Sequence, residues 1–118
     1  MAESIFATGI PFIGRGEPGD HALFLKQMEA VMSVSAGIRR FGSAALDLAY
    51  VAAGRFEGFW ETGLKPWDIA AGIIIVREAG GMISELDGRD NMLKTGSILA
   101  SNSNLQQELS QIIRKAGK

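Results

Sequence analysis

Apolar and polar residues alternate along the chain in strand-like and helix-like periods, with no linker or internal repeat between them. Short apolar runs predict strands within 5–12, 38–41, 56–60, 82–84 and 96–100. Helical spacing predicts four helices, one opening at Asp20, two over 44–53 and 66–79, and one after Ser103. Because the two patterns interleave, we expect a layered α/β domain with a mixed sheet of about five strands and flanking helices.

Residues suited to helix ends mark several of these boundaries. Ser43 is a favourable N-cap for the second helix, and Gly54 follows that helix where a left-handed residue is common. Pro66 has the fixed φ that favours the first turn of the third helix. Ser103 and Gln106 have the spacing of a capping box, which predicts the start of the last helix.

The third predicted helix is apolar on nearly all sides, since no polar residue occurs from Ile69 to Val76. A helix of this kind is typically buried rather than amphipathic. Such a helix is unusual in a domain of 118 residues. We therefore expect cover on more than one side, with further protein packed against this chain.

Composition narrows the possible chemistry. The 12 Lys and Arg residues nearly balance 13 Asp and Glu residues, so there is no electrostatic reason to expect nucleic acid or an anionic membrane as a partner. The absence of Cys and the single His exclude a disulfide scaffold, a thiolate nucleophile and a Cys/His metal site. With no signal-like or membrane-spanning segment, a cytoplasmic location is the default expectation. Carboxylates must supply most of any metal or acid–base chemistry.

Three predicted strand–helix junctions carry the candidate site residues, which are Gly42, Ser43, Ala44, Glu61 and Asp68. In α/β sheets, ligands bind beyond the carboxyl ends of the strands, where helix N-termini also point. A helix that opens at Ser43 and Ala44 offers free backbone N–H groups to an anion or hydroxyl. Glu61 and Asp68 are hard oxygen ligands suited to Mg²⁺ or to sugar hydroxyls.

Each of these residues also has a purely structural interpretation. Ser43 is a common N-cap, and Asp68 is favoured in a first turn by the helix dipole. Glu61 is equally typical of a solvated strand end. Trp60 and Trp67 are typical of a core or an interface rather than of a stacking platform. The residue types and spacings alone thus predict an α/β domain with a possible anion and divalent-metal site.

A long motif at 67–81 points to a particular protein family. The run WDIAAGIIIVREAGG at 67–81 resembles the C-terminal motif of the inositol monophosphatase family, which comprises Mg²⁺-dependent, Li⁺-sensitive phosphatases. The run GSAALDLAYVAAGRFEGFWE at 42–61 and the strand ILASN at 98–102 resemble the same family. The resemblance implies the C-terminal domain of the inositol monophosphatase and fructose-1,6-bisphosphatase fold. It also implies a homodimer that hydrolyses inositol monophosphate or a similar polyol phosphate.

The resemblance also implies roles for individual residues. Asp68 matches a metal ligand close to the substrate hydroxyl and the leaving oxygen. Glu61 matches a glutamate that hydrogen-bonds inositol hydroxyls. Ser43 and Ala44 match positions whose side chain and backbone N–H face the substrate, while Gly42 allows close approach.

Two further family motifs, a Gly-Glu-Glu segment and an Asp-Pro-x-Asp-Gly-Thr loop, do not occur in this sequence. They supply most of the metal ligands in the family. We therefore expect residues 1–118 to form a single C-terminal domain, with the N-terminal metal-binding half absent and no activity alone. One alternative is a non-catalytic, dimerising assembly module. Another is a phosphatase for fructose bisphosphate or adenosine bisphosphate, which the short 58–68 segment disfavours.

Overall fold

One mixed β-sheet with helices on both faces organises the chain. The computed structural model describes residues 3–9, 20–40 and 42–116. In these ranges the elements, in chain order, are β1 Ile5–Thr8, α1 Asp20–Met32, β2 Gly37–Arg39, α2 Ala44–Ala52, β3 Gly58–Glu61, α3 Pro66–Glu78, β4 Met82–Ser84, α4 Met92–Thr95, β5 Ile98–Ser101 and α5 Gln106–Ala116. The predicted α/β class with five strands is confirmed.

The order of the strands brings three of them to a common end. The sheet runs β2-β1-β3-β5-β4. Strands β2 and β3 both pair with β1 in parallel, whereas β5 is antiparallel to β3 and β4. The carboxyl ends of β1, β2 and β3 therefore meet at one edge, called here the carboxyl edge. Because α2 follows β2 and α3 follows β3, both helices begin near this edge.

Successive strand residues point to opposite faces of the sheet and contribute to two separate apolar clusters, one on each face. Phe59 packs with α2 and α3, whereas its neighbour Trp60 packs with α1 and α5. The α2/α3 layer is tight, because a Cβ added at Gly72 of α3 would overlap the side chain of Leu48 of α2. The glycine thus allows the two helices to approach closely over the sheet.

The start of the last helix differs from the prediction. The Asn102 side chain accepts hydrogen bonds from the backbone N–H groups of Asn104 and Leu105, both at 3.1 Å. Gln106 points inward instead, where its side-chain oxygen accepts from the Ser101 hydroxyl at 2.6 Å. The predicted Ser103–Gln106 capping box is therefore wrong, since burial of Gln106 at the end of β5 takes its side chain away from the helix start.

The short helix α4 was not expected from the sequence pattern. Buried Glu85 accepts hydrogen bonds from the Asn91 backbone N–H and from the Thr95 hydroxyl, both at 2.8 Å. This carboxylate ties the loop after β4 to both ends of α4. Strand β3 also begins later than predicted, at Gly58, and the predicted strand residues at 10–12 and 41 lie outside the described ranges.

Within the described ranges, helix α3 is covered on one face and leaves large apolar side chains exposed on the other. Its residues Ile69, Gly72, Ile73 and Val76 are buried against the sheet and α2. By contrast, Trp67 is 78% exposed and Ile74 is 62% exposed. The described residues show the expected cover on the inner face, and cover of the outer face by further protein stays a prediction. Among the described residues, no helix is both long enough and apolar enough to cross a membrane.

Candidate active site at the carboxyl edge of the sheet

The start of α2 forms the first part of the candidate site. Gly42 adopts φ +79°, a left-handed conformation that favours glycine, and turns the chain from β2 towards the helix. Ser43 is the N-cap, and its hydroxyl oxygen accepts the Leu46 backbone N–H at 3.3 Å. This bond satisfies one first-turn donor, while the N–H groups of the opening residues point out of the helix end. The structural role predicted for Ser43 is thus present, at a place suited to an oxygen ligand.

Glu61 ends β3 on the same face of the sheet as α2 and α3. Phe59 packs under these helices, and strand alternation places Glu61 on that same face. Its carboxyl group lies against Gly9, because a Cβ added at Gly9 would overlap the carboxyl carbon and both oxygens. Glu61 is therefore partly buried over the end of β1 rather than extended into solvent.

Asp68 lies in the first turn of α3 and is held by its own helix. Its Oδ2 accepts the Lys65 backbone N–H at 3.0 Å, and its own N–H donates to the Lys65 carbonyl at 2.9 Å. These two bonds fix the carboxylate at the helix start, where the dipole also favours a negative charge.

The structure places all five predicted residues at one edge of the sheet. Gly42, Ser43 and Ala44 precede or open α2, while Glu61 ends β3 and Asp68 begins α3. Both helices lie on the face to which Glu61 points. Helix-terminal N–H groups and two carboxylates therefore surround the place where α/β sheets bind ligands.

The described residues do not form a complete Mg²⁺ site. Within 3–9, 20–40 and 42–116, no three Asp, Glu, His or Cys side chains group closely enough to hold a metal ion. Mg²⁺ requires near-octahedral coordination by oxygen, with waters completing a site that usually has one or two carboxylates. Asp68 can supply one of these ligands, and the others have to come from elsewhere.

Asp47 is a buried acid that the sequence patterns do not single out. It lies one turn after Ser43 and is only 1% exposed, and its Oδ1 has no hydrogen-bond partner among the described residues. Burial raises the pKa of the Asp47 carboxyl from its usual 3.8 to about 6. The missed signal is its spacing, since position 47 shares the buried face of α2 with Leu48 and Val51.

Comparison with known proteins gives consistent matches along the whole chain. A model described as the inositol monophosphatase family matches residues 3–118. An inositol-1-monophosphatase of Mesorhizobium japonicum is 50% identical over 115 residues, which cover 98% of this chain and 42% of the relative. The Nus factor SuhB of Escherichia coli is 43% identical over 120 residues, which cover 95% of this chain and 44% of the relative.

A solved structure has the same fold over almost all of this chain. The extragenic suppressor protein suhB of Bartonella henselae superposes with a TM-score of 0.90 at 45% identity. The superposition covers 97% of this chain and 42% of that structure. The chain thus spans less than half the length of each of these relatives, although nearly all of its own residues are included in each match.

Proposed function

We propose, from the premise that the chain belongs to the inositol monophosphatase family, that it is the substrate-recognition half of a polyol-phosphate phosphatase. The substrate is inositol monophosphate or a similar polyol phosphate. One observation carries the proposal. The start of α2, the carboxylate of Glu61 and the carboxylate of Asp68 share one edge and one face of the sheet. That arrangement supplies both donors and acceptors for a hydroxylated, anionic ligand.

Each residue has a distinct task in this proposal. The Glu61 carboxylate accepts hydrogen bonds from polyol hydroxyls, and such charge-assisted bonds are stronger than neutral ones. The backbone at Ser43 and Ala44 donates to a substrate oxygen at the N-terminus of α2. No described atom lies within 4 Å of the place where a side chain at Gly42 would begin, and in this proposal the glycine lets the ligand approach the helix start closely.

The catalytic metal also belongs to the proposal. Mg²⁺ would use Asp68 as one ligand and would supply electrostatic stabilisation of the phosphoryl group. The hydrogen bond from the Lys65 N–H keeps the Asp68 carboxylate in one orientation. Because the described residues lack the other ligands, we derive no catalytic step through the ion and propose that the chain is inactive alone.

The outer face of the α2/α3 layer is a surface on which a further segment carrying the missing metal ligands would pack. Leu46, Trp67, Ile74 and Ile75 are exposed on this layer, and its helices begin at the site. The relative from Mesorhizobium japonicum has more than half of its length outside the match. We propose that an N-terminal half of the same fold packs here and completes the site. A homodimer stays a prediction from the family resemblance, and a cytoplasmic location stays a prediction from the sequence pattern.

The test is a phosphate-release assay with D-myo-inositol 1-phosphate. The chain is assayed alone and after co-expression with the segment that precedes the matched part in the Mesorhizobium japonicum relative, each with Mg²⁺ or with EDTA. Release is expected only from the combined protein with Mg²⁺, and Asp68→Asn should abolish it. Turnover by the chain alone, or by the Asp68→Asn protein, would contradict the proposal.

A second candidate is a non-catalytic assembly module. It is supported by the lack of a three-ligand metal group among the described residues and by relatives named Nus factor SuhB, a name that describes a factor rather than a hydrolase. Size-exclusion chromatography with light scattering tests it. A dimer that dissociates on Ile74→Asp but persists in Asp68→Asn is expected for such a module. A monomer without affinity for a polyol phosphate would contradict both candidates.

A further inference from the structure

Gly9 and Glu61 are neighbours across two parallel strands. Strand β1 pairs with β3 so that Ala7 lies beside Phe59 and Thr8 beside Trp60. The next positions along the same register are Gly9 and Glu61. Since paired residues of neighbouring strands point to the same face, a side chain at position 9 would stand beside that of Glu61.

The Glu61 carboxyl group occupies the space that this missing side chain would fill. A Cβ built on Gly9 overlaps Cδ, Oε1 and Oε2 of Glu61 together. If the glutamate were extended past the end of β3, these three atoms would lie beyond reach of position 9. The absence of a side chain at Gly9 therefore lets the Glu61 side chain bend sideways across β1.

The sideways bend has a direction within the sheet. The strand order places β2 on the far side of β1, and α2 begins shortly after β2. The carboxylate over Gly9 is thus displaced away from β5 and towards the side of the sheet from which α2 starts. We propose that Gly9 is a positioning residue that sets the gap between the Glu61 carboxylate and the N-terminus of α2.

This inference rests on the proposed function, because the gap has meaning only if both groups bind one polyol phosphate. It assigns Gly9 a part in specificity without contact to the ligand. A residue with a side chain at position 9 would push the carboxylate towards β5, and it would favour ligands whose hydroxyl lies farther from the oxygen held at Ser43 and Ala44.

Gly9→Ala is a clean probe of the idea. Gly9 is not among the glycines with positive φ, so alanine is compatible with its backbone. The overlapping atoms are the tip of the Glu61 side chain and not backbone, so we expect the carboxyl group to move aside when alanine is introduced. The matched control is Gly37→Ala in β2, where the described atom nearest to an added Cβ is Nη1 of Arg39, at 3.2 Å.

The experiment is an NMR titration of the 118-residue chain with D-myo-inositol 1-phosphate in the presence of Mg²⁺. We expect Gly9→Ala and Glu61→Ala each to weaken binding about tenfold, the loss expected for one charge-assisted hydrogen bond. The double variant should bind no more weakly than Glu61→Ala, and Gly37→Ala should match the unaltered chain. If Gly9→Ala weakens binding equally in the Glu61→Ala background, Gly9 does not act through Glu61 and the inference is overturned.

A crystal structure of the Gly9→Ala protein separates this inference from the proposed function. Displacement of the Glu61 carboxylate by about 1 Å or more supports the inference, because shifts of that size alter ligand geometry measurably. An unmoved carboxylate overturns it. If the unaltered chain binds no polyol phosphate, the proposed function fails, while the position of Glu61 in the variant still decides whether Gly9 positions it.

Discussion

Helices α3 and α5 lie on opposite faces of the same sheet and have opposite relations to their surroundings. Helix α5 buries Leu109 and Ile113 and exposes polar residues such as Glu108 and Arg114. Helix α3 buries Ile73 and also exposes large apolar side chains, with Ile74 at 62% exposure. The residues of α5 are thus explained by the chain itself. The inner residues of α3 pack against the sheet and α2, and its exposed apolar residues are suited to contact with a second partner.

The difference between the two helices coincides with the location of the candidate site. The α2/α3 layer begins at Ser43 and Asp68, whereas the layer of α1 and α5 contributes none of the predicted site residues. An exposed apolar face and the proposed metal ligand Asp68 therefore occur in the same layer. Both are accounted for if one further segment covers that layer.

The largest expected effect is a contrast within α3 itself. Ile73→Ala removes a side chain that is 5% exposed and should lower the free energy of unfolding by about 2–4 kcal/mol. Ile74→Ala, at 62% exposure, should change it by less than about 0.5 kcal/mol in this chain. Urea denaturation followed by circular dichroism measures both. Equal losses would show that the outer face of α3 is already packed.

An intermediate effect is expected at Asp47, the unpaired acid of the α2/α3 layer. Its native pKa of about 6 exceeds the usual 3.8, so the folded state binds this proton more tightly than the unfolded state. The stability linked to Asp47 is therefore full below about pH 4 and is lost as the pH rises through 6. Asp47→Asn should raise the free energy of unfolding at pH 8 by about 1–3 kcal/mol, and the gain should vanish near pH 4.

The matched control for Asp47 lies on the opposite layer. Glu108→Gln changes an exposed acid in the first turn of α5, and no comparable gain at pH 8 is expected from it. Thermal unfolding of both variants between pH 4 and pH 8 makes the comparison. A pH-independent effect of Asp47→Asn would show that its carboxyl is not the titrating group.

The smallest effect is expected at the N-cap of α2. Ser43→Ala removes the acceptor for the Leu46 N–H and should cost about 1 kcal/mol of unfolding free energy. Ser43→Asp keeps an acceptor and should restore that stability, while its charge should weaken anion binding at the helix start. Chemical denaturation and the inositol 1-phosphate titration separate the two roles. Unchanged stability in Ser43→Ala would contradict the capping role.

Local features of this fold were predictable from the sequence. Strand β4 and helix α3, which ends one residue before the predicted position 79, follow from apolar periodicity and from Pro66. Gly54 takes the left-handed φ of +78° expected after α2. Non-local features were not predictable. Helix α4 depends on a buried contact from Glu85, and Gln106 turns inward because of residues at the end of β5. Such contacts carry no periodic signal.

The candidate site divides in the same way. Ser43, Glu61 and Asp68 lie at predicted strand–helix junctions. Their position at a common edge of the sheet therefore follows from α/β topology. The position of the Glu61 carboxyl group over Gly9 depends on the register of β1 with β3. Because the two residues are far apart in the sequence, no local pattern predicts this contact. The spacing of Asp47 with Leu48 and Val51 indicates a buried position, but an acid in a first turn is also typical of an exposed helix start.

The two strands at the sheet borders have a consequence for how the molecule associates. Strand β2 and strand β4 are each three residues long, and β2 ends in the exposed Arg39. Short borders with a charged residue offer few unpaired backbone groups for another chain to extend, so fibril growth by strand addition is disfavoured. Association of this chain is therefore expected through an exposed apolar helix face such as that of α3 rather than through its strand edges.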